Sequence, residues 1–350
     1  MQLKNGFWDM STKSIQKPIG YQRITIQENL EYFKSNDIKN QKTFAEEIAL
    51  TLKHQPRSIS PKYFYDDLGS KLFDKICKLP EYYPYNCESS ILKKIAKNLK
   101  PHITNDVRLV ELGSGSSTKT RLLINALLKN QWHVEYFPID ISDVLIESAK
   151  KLCNDYKTLQ VTGIIDTYEN GLDFIEHYDD KPNLITFLGS SFGNFNEEDG
   201  NNFLKKIHDL MKSTDYFLIG LDMKKNNDIL FKAYNDTKDL TAKFNLNVLE
   251  RINKELDANF EISKFAHKAY YNESKGRIEM YLHSLSDQTV TIPKAGISIQ
   301  LSENELIHTE NSHKFTISQI DSMFEDVGLD IVQIWFDTKK YFGLILAKKF

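Results

Sequence analysis

Apolar and polar residues change their spacing several times along the chain, and each spacing predicts a type of element. Residues 1–27 are polar and mixed, and we expect them to form a leader. A short amphipathic stretch, Gln27–Ser35, precedes Gln41–Leu52, where apolar residues recur at helical spacing. The two prolines of Pro80-Glu-Tyr-Tyr-Pro84 preclude a long helix there, and helical spacing returns over Ser89–Leu99.

From Arg108 onward, short apolar runs alternate with amphipathic segments of helical period. The runs predict strands at Arg108–Leu112, Val134–Ile139, Gln160–Ile165, Asn183–Leu188 and Tyr216–Leu221. The intervening segments predict helices at Thr118–Leu128, Val144–Cys153 and Glu197–Met211. This alternation predicts a parallel sheet with helices on both faces.

The alternation ends after the fifth strand. Asn226–Asn259 is mostly helical in its pattern, and Lys264–Tyr271 and Gly276–Leu285 alternate like two antiparallel strands. A helix at Thr316–Val327 is followed by a terminal hairpin, which we expect at Leu329–Trp335 and Tyr341–Ala347. A parallel sheet that ends in an antiparallel hairpin is the strand plan of class I methyltransferases, whereas a dinucleotide-binding dehydrogenase continues with parallel units.

Composition narrows the classes of protein that fit this pattern. The chain is 41% hydrophobic and carries a net charge of −3, which excludes global disorder and gives no basic surface for nucleic acid or acidic lipid. Its three cysteines form no CxxC pair, which is typical of a reducing compartment. No apolar run has the length of a membrane span, so we expect a cytoplasmic protein.

The nine histidines show no HxH, HxxxH or HExxH spacing, and we therefore expect no metal site. No GxSxG segment is present either, which argues against a serine hydrolase.

The candidate cofactor loop follows the first strand of the alternating region. Gly113 and Gly115 allow the backbone to approach a ligand closely, and the sequence GSGSST lacks the third glycine of a nicotinamide-binding fingerprint. Asp140 ends the second strand, where an acid can accept hydrogen bonds from both ribose hydroxyls. The alternative is that Asp140 caps the next helix. Together these residues point to S-adenosylmethionine rather than to a nicotinamide cofactor.

Three more residues are candidates for the same cofactor. Asp166 and Thr167 follow the third strand and are expected near the adenine, with Asp166 accepting from its amino group. Lys119, in the first turn of the helix after the loop, can pair with the methionyl carboxylate. An ordinary exposed lysine is an equal alternative.

The acceptor side has weaker signals. The loop Leu188–Asn194, of sequence LGSSFGN, closes the fourth strand and offers carbonyls and an amide to a small polar substrate. Phenols concentrate in Tyr63–Asp67 and at Tyr82 and Tyr83, where a packed tyrosine group is the alternative to a binding wall. Glu310 can accept from an imidazole or ammonium, although its polar surroundings are more typical of a surface loop.

Eight segments occur in an order that resembles one family. They are PKYFYD from Pro61, GS with LF from Gly69, LPEYYP from Leu79, ELGSG with KTR from Glu111, FLGS with GN from Phe187, the Ala233–Leu249 segment, RIEM from Arg277, and TE-S-KF from Thr309. Together they are similar to the L-histidine Nα-methyltransferases of ergothioneine biosynthesis, from about Ile59 to the C-terminus.

The resemblance implies a role for each matching residue. Tyr65, Glu310 and Ser312 match the residues that line the imidazole pocket. Asn194 and Tyr234 match those that hold the substrate carboxylate.

Five further matches complete the implied site. Gly189 and Ser191 border the α-amine, Phe73 and Met280 supply apolar walls, and Tyr82 reaches the cofactor. The chain departs from some bacterial members at Gly163-Ile-Ile-Asp-Thr-Tyr168, which leaves the adenine contacts open.

The resemblance also implies a fold with two parts. A class I Rossmann-like core is expected from residues 87–222 and 315–350, and an α+β substrate-binding domain from residues 28–86 and 223–314. Residues 1–27 remain a leader without an assigned role.

The implied activity is transfer of a methyl group from S-adenosylmethionine to the α-nitrogen of L-histidine, up to three times. A monomer is expected, with no nucleic-acid or membrane partner. One alternative is an N-methyltransferase acting on another amino acid, such as tryptophan, or on a small amine. The other is a non-catalytic regulatory protein that binds the cofactor. Glu310 with Ser312 favours imidazole, because an indole offers one donor and no acceptor.

Overall fold

The computed structural model describes residues 20–36, 42–97, 99–114, 118–142 and 144–350. Its strands are β1 Tyr21–Gln27, β2 Leu30–Ser35, β3 Arg108–Leu112, β4 Val134–Asp140, β5 Leu159–Ile165, β6 Asn183–Phe187, β7 Tyr216–Asp222, β8 Phe265–Asn272, β9 Arg277–Ser284, β10 Gln288–Ile292, β11 Ile297–Leu301, β12 Leu306–His313, β13 Leu329–Phe336 and β14 Phe342–Lys349. Its helices are α1 Phe44–Lys53, α2 Asp67–Ile76, α3 Tyr83–Ile95, α4 Thr118–Leu127, α5 Val144–Asp155, α6 Tyr168–Glu176, α7 Glu197–Leu210, α8 Asn227–Tyr234, α9 Leu240–Leu256 and α10 Ile317–Asp326.

Nine strands form the main sheet, in the order β1-β2-β5-β4-β3-β6-β7-β14-β13. The strands from β2 to β7 pair in parallel, and β14 runs antiparallel to both β7 and β13. The central strands β3 and β6 are buried along their whole length, because helices cover both faces of a parallel sheet. The predicted parallel sheet with a C-terminal antiparallel hairpin is confirmed.

The N-terminal edge of this sheet corrects the sequence analysis. Residues 21–27, predicted to belong to a leader, form β1, and the amphipathic stretch that follows contains β2. β2 pairs in parallel with β5 and buries Leu30 and Phe33. The run Ile24-Thr-Ile26 is β-branched, and such residues favour a strand. Residues 30–35, expected in the substrate-binding domain, therefore lie in the main sheet.

No long helix spans Pro80 and Pro84, as the sequence predicted, because α2 ends at Ile76 and α3 begins at Tyr83. Asp66 caps α2 by accepting from the Gly69 N–H at 2.7 Å, and α3 begins with Pro84 in its first turn. Helix α6, which the pattern did not predict, is capped by Thr167.

A second layer packs over the carboxyl ends of the main-sheet strands. β12, β9 and β8 form an antiparallel sheet, and β10 pairs with β11. One hydrophobic cluster joins residues of α1 and α2, such as Leu52 and Leu72, to residues of α9 and β9, such as Val248 and Leu282. The two chain segments expected to build a substrate-binding domain thus share a core, while the exact domain division stays a prediction.

Candidate active site

The turn after β3 requires glycine at its first position. Gly113 has φ +73°, which L-residues rarely adopt, and a Cβ there would lie 2.7 Å from Tyr168 Oη. Behind the turn, Glu111 accepts from Thr120 at 2.7 Å and from Tyr136 at 2.6 Å, which links β3 to α4 and β4. Gly115, the second glycine of the predicted loop, lies outside the described residues.

Asp140 ends β4 beside this turn, as the pattern predicted. Its Oδ1 accepts from the Ser142 N–H at 3.0 Å, which forms a local turn ahead of α5 rather than a cap on that helix. Burial raises the pKa of the carboxyl, and the Ser142 N–H opposes this shift. The ribose role stays a prediction that this position allows.

Asp166 and Thr167 are engaged within the protein. The buried carboxylate of Asp166 accepts from Tyr21 Oη at 2.8 Å, from the Thr167 N–H at 2.7 Å and from Asn170 Nδ2 at 2.9 Å. Thr167 Oγ1 accepts from the Asn170 N–H at the start of α6. These contacts join β1, β5 and α6, so a contact of Asp166 with adenine stays a prediction without support from the geometry.

Lys119 forms an ion pair with Glu88 of α3. Glu88 is fully buried and also accepts from the Gly189 N–H at 3.0 Å, so one carboxylate joins the cofactor helix to the acceptor loop. Glu88 was not among the predicted site residues. A signal existed, because Glu88 shares helical spacing with the buried residues Ile91, Leu92 and Ile95.

The acceptor residues implied by the resemblance lie around one cavity. Its lining consists of Tyr65, Phe73, Ile76, Tyr82, Gly189, Ser190, Ser191, Asn194, Tyr234, Thr241, Phe244, Met280, Glu310 and Ser312. All nine residues assigned to the substrate are among these, and so is Tyr82. The remaining four lining residues were not predicted from the sequence: Ile76, Ser190, Thr241 and Phe244.

Aromatic rings form one wall of the cavity. Tyr65 contacts Phe73 and Phe244 with centroid distances of 5.5 and 5.6 Å. Phe73 continues to Tyr82 at 6.0 Å, and Tyr82 to Tyr234 at 6.3 Å. The rings come from α2, α8, α9 and the turns beside them, so packing between distant segments creates this wall.

The loop after β6 forms the opposite side. Gly189 and Ser190 both have positive φ, and Ser191–Asn194 makes a single 3-10 turn. A Cβ at Gly193 would lie 3.1 Å from the backbone N and O of His313, so glycine lets the loop pack directly against β12. The Asn194 amide makes no side-chain hydrogen bond within the described part of the chain.

Glu310 and Ser312 lie on strand β12 rather than in a surface loop. Glu310 pairs in register with Met280 of β9, and both side chains line the cavity. The Glu310 carboxyl has no hydrogen-bond partner among the described residues. Burial raises its pKa to about 7, against the opposing charge of Lys314.

Ser312 is held by a buried network behind the cavity. Its Oγ lies 2.7 Å from Tyr234 Oη and 2.6 Å from Lys314 Nζ. The same ammonium lies 3.2 Å from Tyr234 Oη and 2.9 Å from Asp222 Oδ2. Burial favours neutral forms, but Asp222 outweighs this effect, so the pKa of Lys314 is raised and both groups stay charged.

The described residues contain no cluster of His, Cys, Asp or Glu side chains that could hold a metal ion. Among the helices of the described ranges, none is both long and apolar enough to cross a bilayer.

Known proteins share this chain's sequence over most of its length. Residues 44–349 match the family described as histidine-specific methyltransferase, SAM-dependent. A histidine N-alpha-methyltransferase of Mycobacterium tuberculosis is 36% identical, and the match covers 85% of this chain and 92% of that protein. Ergothioneine biosynthesis protein 1 of Neurospora crassa is 30% identical over 85% of this chain and 34% of its own.

A third relative has a different named substrate. The L-tryptophan methyltransferase of Psilocybe serbica is 28% identical, with 83% of this chain and 87% of that protein covered. This chain thus has relatives that are named for two different amino acids.

Proposed function

This chain belongs to the family of histidine-specific, SAM-dependent methyltransferases, and we propose that it methylates the α-nitrogen of L-histidine. The observation that supports this substrate is the pair Glu310 and Ser312 in one cavity. A neutral imidazole has one N–H donor and one acceptor nitrogen. Glu310 supplies an acceptor without another partner, and Ser312 supplies a hydroxyl donor, so the pair matches imidazole and leaves indole with an unmatched group.

The amino-acid end of the substrate lies against the loop after β6 in this proposal. The Asn194 amide, unpartnered among the described residues, donates to the carboxylate. Gly189 and Ser191 border the α-amine. Tyr234, assigned to the carboxylate by resemblance, donates its one hydroxyl hydrogen to Ser312 at 2.7 Å, so in this proposal it orders the ring end of the cavity instead of donating to the carboxylate.

The turn after β3 fits the cofactor that the family uses. Gly113 keeps this turn free of a side chain, and Asp140 is placed for the ribose. Lys119 acts as part of its pair with Glu88, and Gly115, Thr167 and Tyr82 complete the proposed cofactor set. Asp166 is left out of this set because its carboxylate is bonded within the protein. S-adenosylmethionine, when bound, supplies an activated sulfonium methyl group.

The chain's own contribution is alignment and exclusion of water. Residues at both ends of histidine hold the α-nitrogen in one orientation, and the aromatic wall from Tyr65 to Tyr234 covers one side of the substrate. The α-amine must be neutral to attack, and we assign no general base. We propose up to three transfers, ending in hercynine, because aromatic rings are also the surface that binds quaternary ammonium groups.

We also propose that the enzyme acts as a cytoplasmic monomer. All three cysteines are free thiols, which is typical of a reducing compartment. Light scattering on the purified protein tests the monomer.

Product analysis tests the proposed function. The protein, S-adenosylmethionine and either L-histidine or L-tryptophan are incubated, and mass spectrometry with NMR counts and locates the new methyl groups. We expect methyl groups on the α-nitrogen of histidine, reaching three at completion. Methylation of tryptophan in preference to histidine, or of a ring nitrogen, would contradict the proposal. Methyl transfer to neither amino acid would exclude both as substrates.

A further inference from the structure

The buried lysine behind the cavity uses all of its hydrogens inside the protein. Lys314 is the residue after β12, and its side chain is fully buried. An ammonium has three donors and no acceptor. Those of Lys314 are directed at Ser312 Oγ at 2.6 Å, Tyr234 Oη at 3.2 Å and Asp222 Oδ2 at 2.9 Å. Lys314 is not part of the cavity lining, so it acts on a ligand through these partners and through its charge, which opposes the rise in the pKa of Glu310.

These contacts determine which way the Ser312 hydroxyl points. A hydroxyl oxygen has two acceptor positions and one hydrogen. Lys314 fills one acceptor position of Ser312, and Tyr234 Oη fills the other, since a phenol is a better donor than an aliphatic alcohol. Both acceptor positions are then occupied, and the remaining hydrogen of Ser312 is directed into the cavity.

We propose that Lys314 is a positioning residue that fixes Ser312 as an obligatory hydrogen-bond donor, so that the cavity selects rings with an acceptor nitrogen. This inference rests on the proposed histidine substrate. Ionised Glu310 can only accept a hydrogen bond, and Ser312 fixed in this way can only donate one. A ring that fits both residues therefore carries an N–H at one position and a lone pair at the other. A ring without the lone pair leaves the buried Ser312 hydrogen unpaired.

The test compares histidine with the two isomers of pyrrolylalanine. A pyrrole has the size of an imidazole and carries one N–H but no acceptor nitrogen. The readout is the discrimination ratio, which is kcat/KM for histidine divided by kcat/KM for the better pyrrole isomer. Both substrates are measured on one preparation, so a loss of folded protein cancels from this ratio.

We expect Lys314→Met to lower the discrimination ratio by about 5- to 150-fold, the range that corresponds to relief of one unpaired buried donor. Without the ammonium, an acceptor position of Ser312 is free and its hydrogen can turn away from the cavity. Ser312→Ala should lower the ratio as well, and adding Lys314→Met to Ser312→Ala should lower it no further.

The matched control is Lys225→Met. Lys225 is also buried and also pairs with Asp222, but its other contacts are with Tyr83 Oη and the Met223 carbonyl. Its removal takes the same charge from the same carboxylate and leaves the donors to Ser312 in place. The discrimination ratio should therefore keep its wild-type value.

If Lys314→Met yields no folded protein, Tyr234→Phe removes the other donor to Ser312 and should also lower the ratio. The inference is overturned if the folded variant keeps the wild-type ratio, if Lys314→Met acts equally in the Ser312→Ala background, or if Lys225→Met has the same effect. A wild-type protein that does not methylate histidine would instead refute the proposed function.

Discussion

The cofactor edge of the main sheet and the acceptor cavity differ in how their polar side chains are used. At the edge, Asp166 already accepts three hydrogen bonds and Lys119 is paired with Glu88. In the cavity, Glu310 and Asn194 have no side-chain partner among the described residues. At the edge, polar side chains thus form hydrogen bonds and ion pairs within the protein, and the backbone is left to contact the cofactor. In the cavity, polar side chains remain available to bind the substrate. Substitutions of polar side chains should therefore affect stability at the edge and substrate recognition in the cavity.

Glu310→Gln should have the largest effect. Loss of the charged acceptor should lower kcat/KM for histidine by about 100-fold, because a hydrogen bond to a charged group is worth about 1.5–3 kcal/mol. The free energy of unfolding should not fall, since the Glu310 carboxyl has no hydrogen-bond partner among the described residues and desolvation already disfavours its charged form. Steady-state kinetics and urea unfolding measure the two quantities.

The control for this variant is Glu303→Gln. Glu303 is exposed on the turn before β12, and the same chemical change there should leave both quantities unaltered. If Glu310→Gln retains the wild-type kcat/KM for histidine, Glu310 does not bind the imidazole.

Gly113→Ala should weaken cofactor binding by about tenfold, since left-handed backbone costs an L-residue about 1–2 kcal/mol. The added Cβ also meets Tyr168 Oη. The double variant Gly113→Ala with Tyr168→Phe removes that atom and should recover part of the loss. Calorimetry with the demethylated cofactor product measures both. Unchanged affinity in the single variant would mean that the turn does not carry the cofactor.

Asp166→Asn should lower the free energy of unfolding by about 1–2 kcal/mol through weaker hydrogen bonds to β1 and α6. The KM for histidine should not change. Denaturant unfolding and cofactor titration together decide the role of this residue. If the variant loses cofactor affinity but keeps the wild-type free energy of unfolding, Asp166 contacts the adenine. The two regions would then not differ in how their polar side chains are used.

The smallest effect concerns pH. Because burial raises the pKa of Glu310 to about 7, the carboxyl binds a proton below that pH and loses the charge that makes it a strong acceptor. Histidine binding should thus strengthen severalfold as pH rises from about 6 to 8. The imidazole and α-amine of histidine titrate as well, so the ratio of wild-type to Glu310→Gln affinity isolates the carboxyl. A ratio independent of pH would show that Glu310 does not titrate in this range.

The two regions also differ in how far the sequence predicts them. The central strands follow from continuous apolar runs, as β3 shows, because a sheet covered on both faces demands them. The edge strand β1 was missed because its exposed positions mix polar and apolar residues. Strand β12 was missed because its polar run at Thr309–Ser312 breaks the alternation that marks a strand.

The acceptor site could not be predicted from local sequence patterns, because it depends on packing between distant segments of the chain. Tyr65, Tyr234 and Glu310 come together only through three separate segments, and the resemblance rather than periodicity linked them. The role of Glu88 depends on Gly220 of β7, where a Cβ would lie 2.2 Å from the Glu88 carboxylate. No local pattern contains such a pairing, although the helical face of Glu88 indicated that it is buried.

The most direct test of the histidine cavity is a titration of the wild-type protein with amino acids in the presence of the demethylated cofactor product. Isothermal calorimetry should show binding of L-histidine, weaker binding of L-tryptophan by at least about tenfold, and loss of this preference in Glu310→Gln. Equal or tighter binding of L-tryptophan by the wild-type protein would contradict the assignment of Glu310 and Ser312 to an imidazole.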